Sequence, residues 1–309
     1  MSASTRQDVT RGIWAALASF TLWGVAPLYW HLLKHVPSLQ IVLHRVVWSA
    51  LLVGAFLTWR DGRHWLRLAL TGAPRLRAML LLSSVLIAFN WGLYIWAVNA
   101  GHVVETALGY FINPLLNVVI GVLFLRERLR PLQWLSVAIA LVGVLWLTWQ
   151  YGRPPWIALA LAASFGLYGV LRKLAHVDAV TGLGIENAYL VLPALAALLW
   201  LHGAGLGYTS TGPGDTATFA LLVLSGLITA LPLIGFAYAV RRVSLTVVGV
   251  MQYIAPTLQF LIGVLIFDEP FDRVRLLGFL CIWVALAVFM ADGLRHTRRQ
   301  RQAALADLA

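Results

Sequence analysis

The sequence predicts an all-α integral membrane protein of ten transmembrane helices, built as two inverted five-helix repeats with both termini cytoplasmic. Three observations predict it. The 309 residues are 61% hydrophobic and 11% charged, with mean hydropathy +0.82, whereas a soluble domain carries about 25% charge. The apolar residues fall in long blocks rather than on one helical stripe. The second half of the chain also rewrites the first. Residues 112–127 read INPLLNVVIGVLFLRE and residues 254–269 read IAPTLQFLIGVLIFDE, with Ile112/Ile254, Pro114/Pro256, Gly121/Gly263 and Glu127/Glu269 among the identical columns.

Crossing ~30 Å of hydrocarbon takes about 20 apolar residues as helix. Ten such blocks are present, at 12–33, 39–59, 78–98, 103–125, 132–149, 156–171, 184–201, 217–240, 245–267 and 274–291. Several connections are a few residues long, which makes neighbours antiparallel. The first block follows Arg6 and Arg11 as a signal peptide would, but its length and Pro27 predict a retained span. Residues 202–216, rich in Gly, Ser and Thr, read as an exposed loop.

Cytoplasmic loops collect Lys and Arg. With the N-terminus inside, only Lys34, Arg153, Arg273 and Arg275 face outward and Arg45 lies within a span; the remaining 18 of the 23 Lys and Arg lie inside. Odd-numbered units repeated in tandem face opposite ways in the bilayer, which is a transporter's architecture. The loop with Arg126, Glu127 and Arg128 is then inside, and its counterpart with Asp268, Glu269 and Pro270 outside. A second register pairs Ser19-Phe20 with Ser164-Phe165 and Trp23-Gly24 with Tyr168-Gly169. The repeats occupy 1–151 and 152–294, followed by a cytoplasmic tail, 295–309.

Pro114 and Pro256 stand near the middle of spans 4 and 9, where proline frees a carbonyl and bends a helix. They are the candidate gating residues. Polar residues flank both: Tyr110, Asn113 and Asn117 on span 4, and Gln252, Tyr253 and Gln259 on span 9, with Asn90 of span 3 able to join them. These groups either line a cavity between the halves or hold helices together without touching substrate. Ionisable residues in spans default to functional candidates. Arg45, after His44 in span 2, sits roughly 9 Å deep at 1.5 Å per residue. It either serves an anionic group or snorkels to the interface. Glu105 of span 4, at similar depth, is its candidate partner, and Glu186 enters span 7 from the inside. Both carboxylates are candidates for a coupled proton, against the alternative of exposed side chains near span ends. Trp30, Trp59, Trp149, Trp156 and Trp200 read as the interfacial aromatic belt, Trp23, Trp91, Trp96 and Trp146 as cavity walls, and Gly166/Gly169 as a close helix contact.

Other chemistries are missing from the sequence. The basic residues sit between apolar blocks as topology signals, so nucleic acid is not an expected partner. A lone cysteine, Cys281, rules out an intrachain disulfide. His31, His35 and His102 lack metal-ligand spacing, and no Walker lysine motif, HExxH or CxxC occurs. Neither a metal nor a cofactor is expected, and the chain does not read as an enzyme.

The segments LHRVVWS (43–49), NWGLYIWAVN (90–99), ETALGYFINPLLNVVIGVLFLRERL (105–129), QYIAPTLQFLIGV (252–264) and CIWVALA (281–287) resemble the RarD branch of the EamA family, in the drug/metabolite transporter superfamily. The resemblance spans nearly the whole chain. It implies two inverted five-helix repeats, cytoplasmic termini, a bacterial inner-membrane location and a permease that moves a small molecule. It implies no agreed functional residues. His44, Arg45, Asn90, Tyr110, Asn113, Asn117, Gln252 and Tyr253 therefore stand as substrate-site candidates on the physical reading alone. The expected function is secondary transport, as an exporter, of a small polar or amphiphilic metabolite or drug by alternating access, at a site walled by spans 3, 4, 8 and 9. A non-transporting scaffold or sensor is the alternative.

Overall fold

A computed structural model describes residues 3–125, 130–208, 216–240, 242–243, 248 and 251–306. Among them the chain forms eleven helices: α1 (Ala3–Leu32), α2 (Ser38–Asp61), α3 (His64–Thr71), α4 (Pro74–Asn99), α5 (Val103–Leu125), α6 (Pro131–Tyr151), α7 (Trp156–Ala175), α8 (Ala179–Gly203), α9 (Thr216–Val240), α10 (Ile254–Leu265) and α11 (Arg273–Ala306). Seven stretches are long and apolar enough to cross a membrane: Asp8–Leu32, Ser38–Asp61, Pro74–Asn99, Pro131–Gln150, Val180–Gly203, Thr216–Ala239 and Arg273–Gly293. Trp156–Arg172 and Ile254–Leu265 are apolar but shorter. The expected ninth span, 245–267, is thus reduced among the described residues to a helix that starts at Ile254; most of 245–250 lies outside them.

Helix ends are fixed by local chemistry. Pro74 and Pro131 open α4 and α6, where the missing N–H costs nothing. Gly152 closes α6 in the left-handed region, at φ 65°. Asp178 caps α8, its side chain accepting from the N–H groups of Val180 and Thr181. Two caps come from elsewhere in the chain. Glu269, between α10 and α11, accepts from the N–H groups of Val103 and Val104 at 2.5 and 2.8 Å and so closes the start of α5. Glu105 accepts from the Ile157 N–H at 3.1 Å and closes the start of α7. An unpaired backbone donor in hydrocarbon costs several kcal/mol, so each of these bonds matters more than it would in water.

The sequence register equates α1 with α7, α2 with α8, α4 with α9, α5 with α10 and α6 with α11. Exchanging these partners maps the main packing contacts onto themselves. The α4–α7 contact answers α1–α9, α5–α7 answers α1–α10, and α2–α9 answers α4–α8, while α2–α8, α5–α10 and α6–α11 are their own images. Among the described residues only α3 lacks a counterpart. It is a two-turn helix, unanticipated by the sequence reading, that buries Trp65 and Ala69 against α2 and α8.

Where helices touch most closely, glycine admits backbone to backbone. A Cβ on Gly109 of α5 would lie 2.9 Å from the Ala158 carbonyl oxygen of α7. One on Gly226 of α9 would lie 2.6 Å from the Trp48 carbonyl carbon of α2. Gly143 of α6 likewise lies against the Gly278 carbonyl of α11, where a Cβ would come within 3.0 Å. Gly169, expected to make such a contact, would meet nothing within 4 Å.

Candidate functional site

Arg45 lies at the centre of the most unusual chemistry. It is the eighth residue of α2 and faces inward with Ile41, Val42, His44 and Ser49, because α2 packs against α4, α8 and α9. The residue is 7% exposed. Its guanidinium carbon sits 4.1 Å from the centre of the Trp91 ring on α4 and 5.2 Å from that of Trp30 on α1. The phenols of Tyr29, Tyr94 and Tyr110 lie within electrostatic reach of the guanidinium, Tyr29 donating to the Leu221 carbonyl and Tyr94 and Tyr110 meeting edge to face at 5.8 Å. Among the described residues no carboxylate pairs with Arg45. Its Nε, the Tyr94 hydroxyl and the Asn113 Oδ1 are buried without a hydrogen-bond partner there. Cation–π contact with a desolvated cation is worth about 2 kcal/mol. Removing an ion from water costs several kcal/mol. The cage therefore leaves Arg45 short of one negative charge.

The remaining sequence candidates separate into different roles. Arg45 does not snorkel to an interface, and Glu105 is not its partner, since the Glu105 carboxylate is committed to the start of α7. His44 points toward α9: its Nδ1 accepts from Trp48 Nε1 at 3.3 Å and its ring meets Phe219 edge to face. Asn90 does not join Asn113. Its Nδ2 donates to the Leu161 carbonyl and to Ser164 Oγ, both at 2.9 Å, and so ties α4 to α7. Tyr110 belongs to the cage, and Asn113 lies one turn further along the same face of α5. The side chains of Asn117 and Pro114 lie outside the described residues; the α5 helix runs on past both. Gln252 is exposed, and Tyr253 stacks on Phe111 at 6.5 Å. Gln259 is buried and donates to the Trp23 carbonyl, joining α10 to α1. Pro256 stands in the first turn of α10, where its missing N–H costs nothing.

Glu186 is fully buried, contrary to the exposed alternative. Its Oε1 accepts from Ser83 Oγ of α4 at 2.6 Å and lies 3.7 Å from Arg172 Nη1 of α7, while Oε2 accepts from the Tyr168 hydroxyl at 3.3 Å. Arg172, which the charge pattern places in a loop, is a helix residue with a side chain only 11% exposed. Asn187 beside it donates to Ser49 Oγ of α2 at 3.0 Å.

Trp30, expected in the interfacial belt, is 2% exposed and forms a cage wall. Trp59, Trp149 and Trp200 are 82%, 84% and 70% exposed and fit the belt. Of the expected cavity walls only Trp91 reaches Arg45; Trp23 packs on Phe20 and Phe236, Trp96 against Trp156, and Trp146 donates to the Val274 carbonyl. A cavity of about 710 Å³ does exist, but between α2, α4 and α8. Its wall is apolar, with Val42, Phe89, Gly92 and Leu190 among the lining residues. It is not the polar pocket expected among spans 3, 4, 8 and 9. Among the described residues no three His, Cys, Asp or Glu group to hold a metal.

Two of the carboxylates at helix starts, Glu269 and Asp178, differ electrostatically. Burial pushes the Glu269 carboxyl above the usual range, against the pull of the Val104 and Val103 N–H groups, His102 and Arg275. Burial also pushes Asp178 up, but hydrogen bonds from Thr181 and Val180 and the charge of Arg60 outweigh it and hold Asp178 below the usual range.

Comparison with known proteins agrees with this architecture. The EamA-like transporter family model matches residues 10–149 and again 154–291. A protein named RarD from Streptomyces exfoliatus is 44% identical over 291 residues, covering 94% of this chain and 91% of the relative. An uncharacterized transporter of Pseudomonas aeruginosa is 44% identical over 296 residues, covering 96% and 98%. A solved crystal structure shares the fold with TM-score 0.56 at 19% identity, covering 90% of this chain and 96% of that one.

Proposed function

Since the chain belongs to the RarD branch of the EamA-like transporter family and is a multi-pass membrane protein, we propose that it is a ten-span secondary transporter whose inverted halves, with cytoplasmic termini, carry a small amphiphilic metabolite or drug outward by alternating access. The substrate presents an anionic group to Arg45 and an apolar or aromatic body to Trp30, Trp91, Tyr94 and Tyr110. The single observation that carries this reading is the buried Arg45, which among the described residues has no carboxylate partner, in the same cluster as the Tyr94 hydroxyl, which has no hydrogen-bond partner among them. A bidentate acceptor such as a carboxylate would supply the missing charge and use the free donors. The symmetric packing of α5 against α10, and of α2 against α8, supports a hinge between the halves on either side of this cage. On this reading the membrane is the bacterial inner one, in keeping with relatives that come from bacteria. The lipid bilayer is the surrounding partner.

Metabolite profiles of cells lacking the protein, overproducing it, or overproducing Arg45→Met test the reading. Overproduction lowers the internal and raises the external level of at least one anionic amphiphile, and Arg45→Met returns the profile to that of cells lacking the protein. A profile that Arg45→Met leaves unchanged at equal expression removes Arg45 from the substrate site. A profile indifferent to the protein itself favours the scaffold or sensor.

A further inference from the structure

We propose that the apolar cavity between α2, α4 and α8 is a lipid site: it holds one acyl chain of a membrane phospholipid, whose phosphate rests at Lys34 and Arg153. The proposal needs the protein to lie in a bilayer, which its multi-pass character supplies, and does not need it to transport anything.

The cavity is a groove laid along the helices. On α2 its lining runs from Ser38 to Val46, and on α4 from Trp96 back to Ala88. Either stretch is about 12 Å long at 1.5 Å per residue. Gly92 faces Val42 at the middle, where a Cβ would lie 3.8 Å from the valine methyl. Ser38 and Trp96 therefore stand at one end, Val46 and Ala88 at the other. Half of a ~30 Å hydrocarbon core is about 15 Å, so the groove has nearly the depth of one leaflet, the length open to one chain. Its side is open too: Leu39, Phe89 and Trp156 belong to its wall and are exposed.

The two ends differ in chemistry. Among the described residues every polar side-chain group of the lining stands at one end: the Ser38 hydroxyl and the indole N–H groups of Trp96 and Trp156. These two tryptophans pack with their ring centroids 5.7 Å apart, and such rings favour the level of lipid headgroups. The far end offers hydrocarbon alone, from Val46, Ala88 and Leu190 among others. Cations flank the polar end. Lys34 stands four residues before Ser38 in the turn ahead of α2, and Arg153 three before Trp156 in the turn ahead of α7; both are exposed. The carboxylate beside Trp156, that of Glu105, is taken up by the Ile157 N–H. Cations at the wet end and hydrocarbon at the dry end complement a phosphate that carries an acyl chain.

A second copy of this chain is a poorer occupant. A twofold pairing of grooves uses the same patch on both copies, which would set Lys34 and Arg153 of one against those of the other. The groove is also distinct from the Arg45 cage, though it shares the cage's helices. Val42 and Val46 stand on either side of Arg45 along α2, and Gly92 follows Trp91 on α4. A chain seated in the groove thus braces the two helices that carry the cation and its nearer ring.

The test uses the purified full chain, stripped of lipid in detergent, and follows three ligands by native mass spectrometry: dipalmitoyl-phosphatidylglycerol, its dihexanoyl analogue, and dipalmitoylglycerol, which lacks the phosphate. The wild type takes up one dipalmitoyl-phosphatidylglycerol saturably, about tenfold or more tighter than the analogue, whose chains bury far fewer CH₂ groups. The bound lipid also raises Tm. Gly92→Leu fills the groove at its middle and weakens this binding about tenfold or more. Lys34→Gln combined with Arg153→Gln weakens phosphatidylglycerol binding about tenfold or more and leaves dipalmitoylglycerol binding unchanged. These two side chains are exposed and lie outside the helices, so the double variant folds even if Gly92→Leu does not. The proposal is overturned if wild-type binding does not saturate, if the dihexanoyl analogue binds equally well, or if either folded variant binds phosphatidylglycerol as the wild type does. A dimer that Gly92→Leu dissociates and phospholipid leaves intact would give the groove to a second copy and overturn it as well. No readout involves transport, so this result and that of the metabolite profiles fail separately.

Discussion

Replacing Arg45 by methionine should make the protein more stable and stop it working. Two rings hold the guanidinium, at 4.1 and 5.2 Å; the nearer contact contributes about 2 kcal/mol and the farther one less. Against this stands an effective desolvation cost of several kcal/mol for a cation with no carboxylate beside it. Methionine is nearly as long, leaves no charge, and regains roughly 0.3–1.5 kcal/mol from each sulfur–aromatic contact. The balance favours the variant by about 1–3 kcal/mol, within the range seen when buried ions are replaced by apolar groups. Thermal unfolding of purified protein in detergent reads this as a Tm higher by several degrees, at about 2–4 °C per kcal/mol for chains of this size class. Stability gained with function lost is the signature of a residue kept for binding. A Tm lowered by several degrees would refute the reasoning, because it would make Arg45 a structural centrepiece whose charge the fold already compensates.

Other substitutions separate scaffold from site. Asn90→Ala removes the α4–α7 bonds and should cost about 0.6–2 kcal/mol of stability, read as a lower Tm, while the export phenotype persists at matched expression. Gly109→Val forces a side chain against the Ala158 backbone and should cost about 1–3 kcal/mol, seen as a reduced yield of monodisperse protein. Asp178→Ala should cost about 1 kcal/mol at pH 7 through loss of the α8 cap. Because the folded state holds Asp178 below its ordinary range, the cap's contribution is complete above the unfolded value of about 3.9. It fades as pH falls through the folded value, so the Tm difference from wild type should close on acidification below about pH 4.

The parts of this molecule legible in its sequence are those written in periodicity and composition. Blocks of apolar residues marked helices, seven of which hold a stretch long and apolar enough to cross a membrane, and the register of the recurring Pro and Gly columns pairs α5 with α10, which pack together. Arg45 stood out because an arginine in an apolar block has few structural uses. Its surroundings did not, because they come from three other helices and no local pattern joins Trp30, Trp91 and Tyr110. Trp30 resembled a belt residue simply by standing near a span end. Arg172 was counted with the loop charges for the same reason, and its pairing with Glu186 joins residues of two helices that no local pattern links. Glu105 and Glu269 act on helix starts that are distant in sequence, a role that spacing cannot reveal. The α3 helix is too short for a periodic signal, and its burial of Trp65 is a tertiary matter.

The central claim is that the cage around Arg45 opens to water on either side of the membrane. The most direct measurement places the only cysteine of the chain in it, as Asn113→Cys in a Cys281→Ser background, with a membrane-impermeant thiol reagent applied to either face of sealed vesicles. The account predicts labelling from both faces, each slowed by conditions that hold the opposite face open. A cysteine at this position that stays unreactive from both faces, in protein that is folded and inserted, would contradict it.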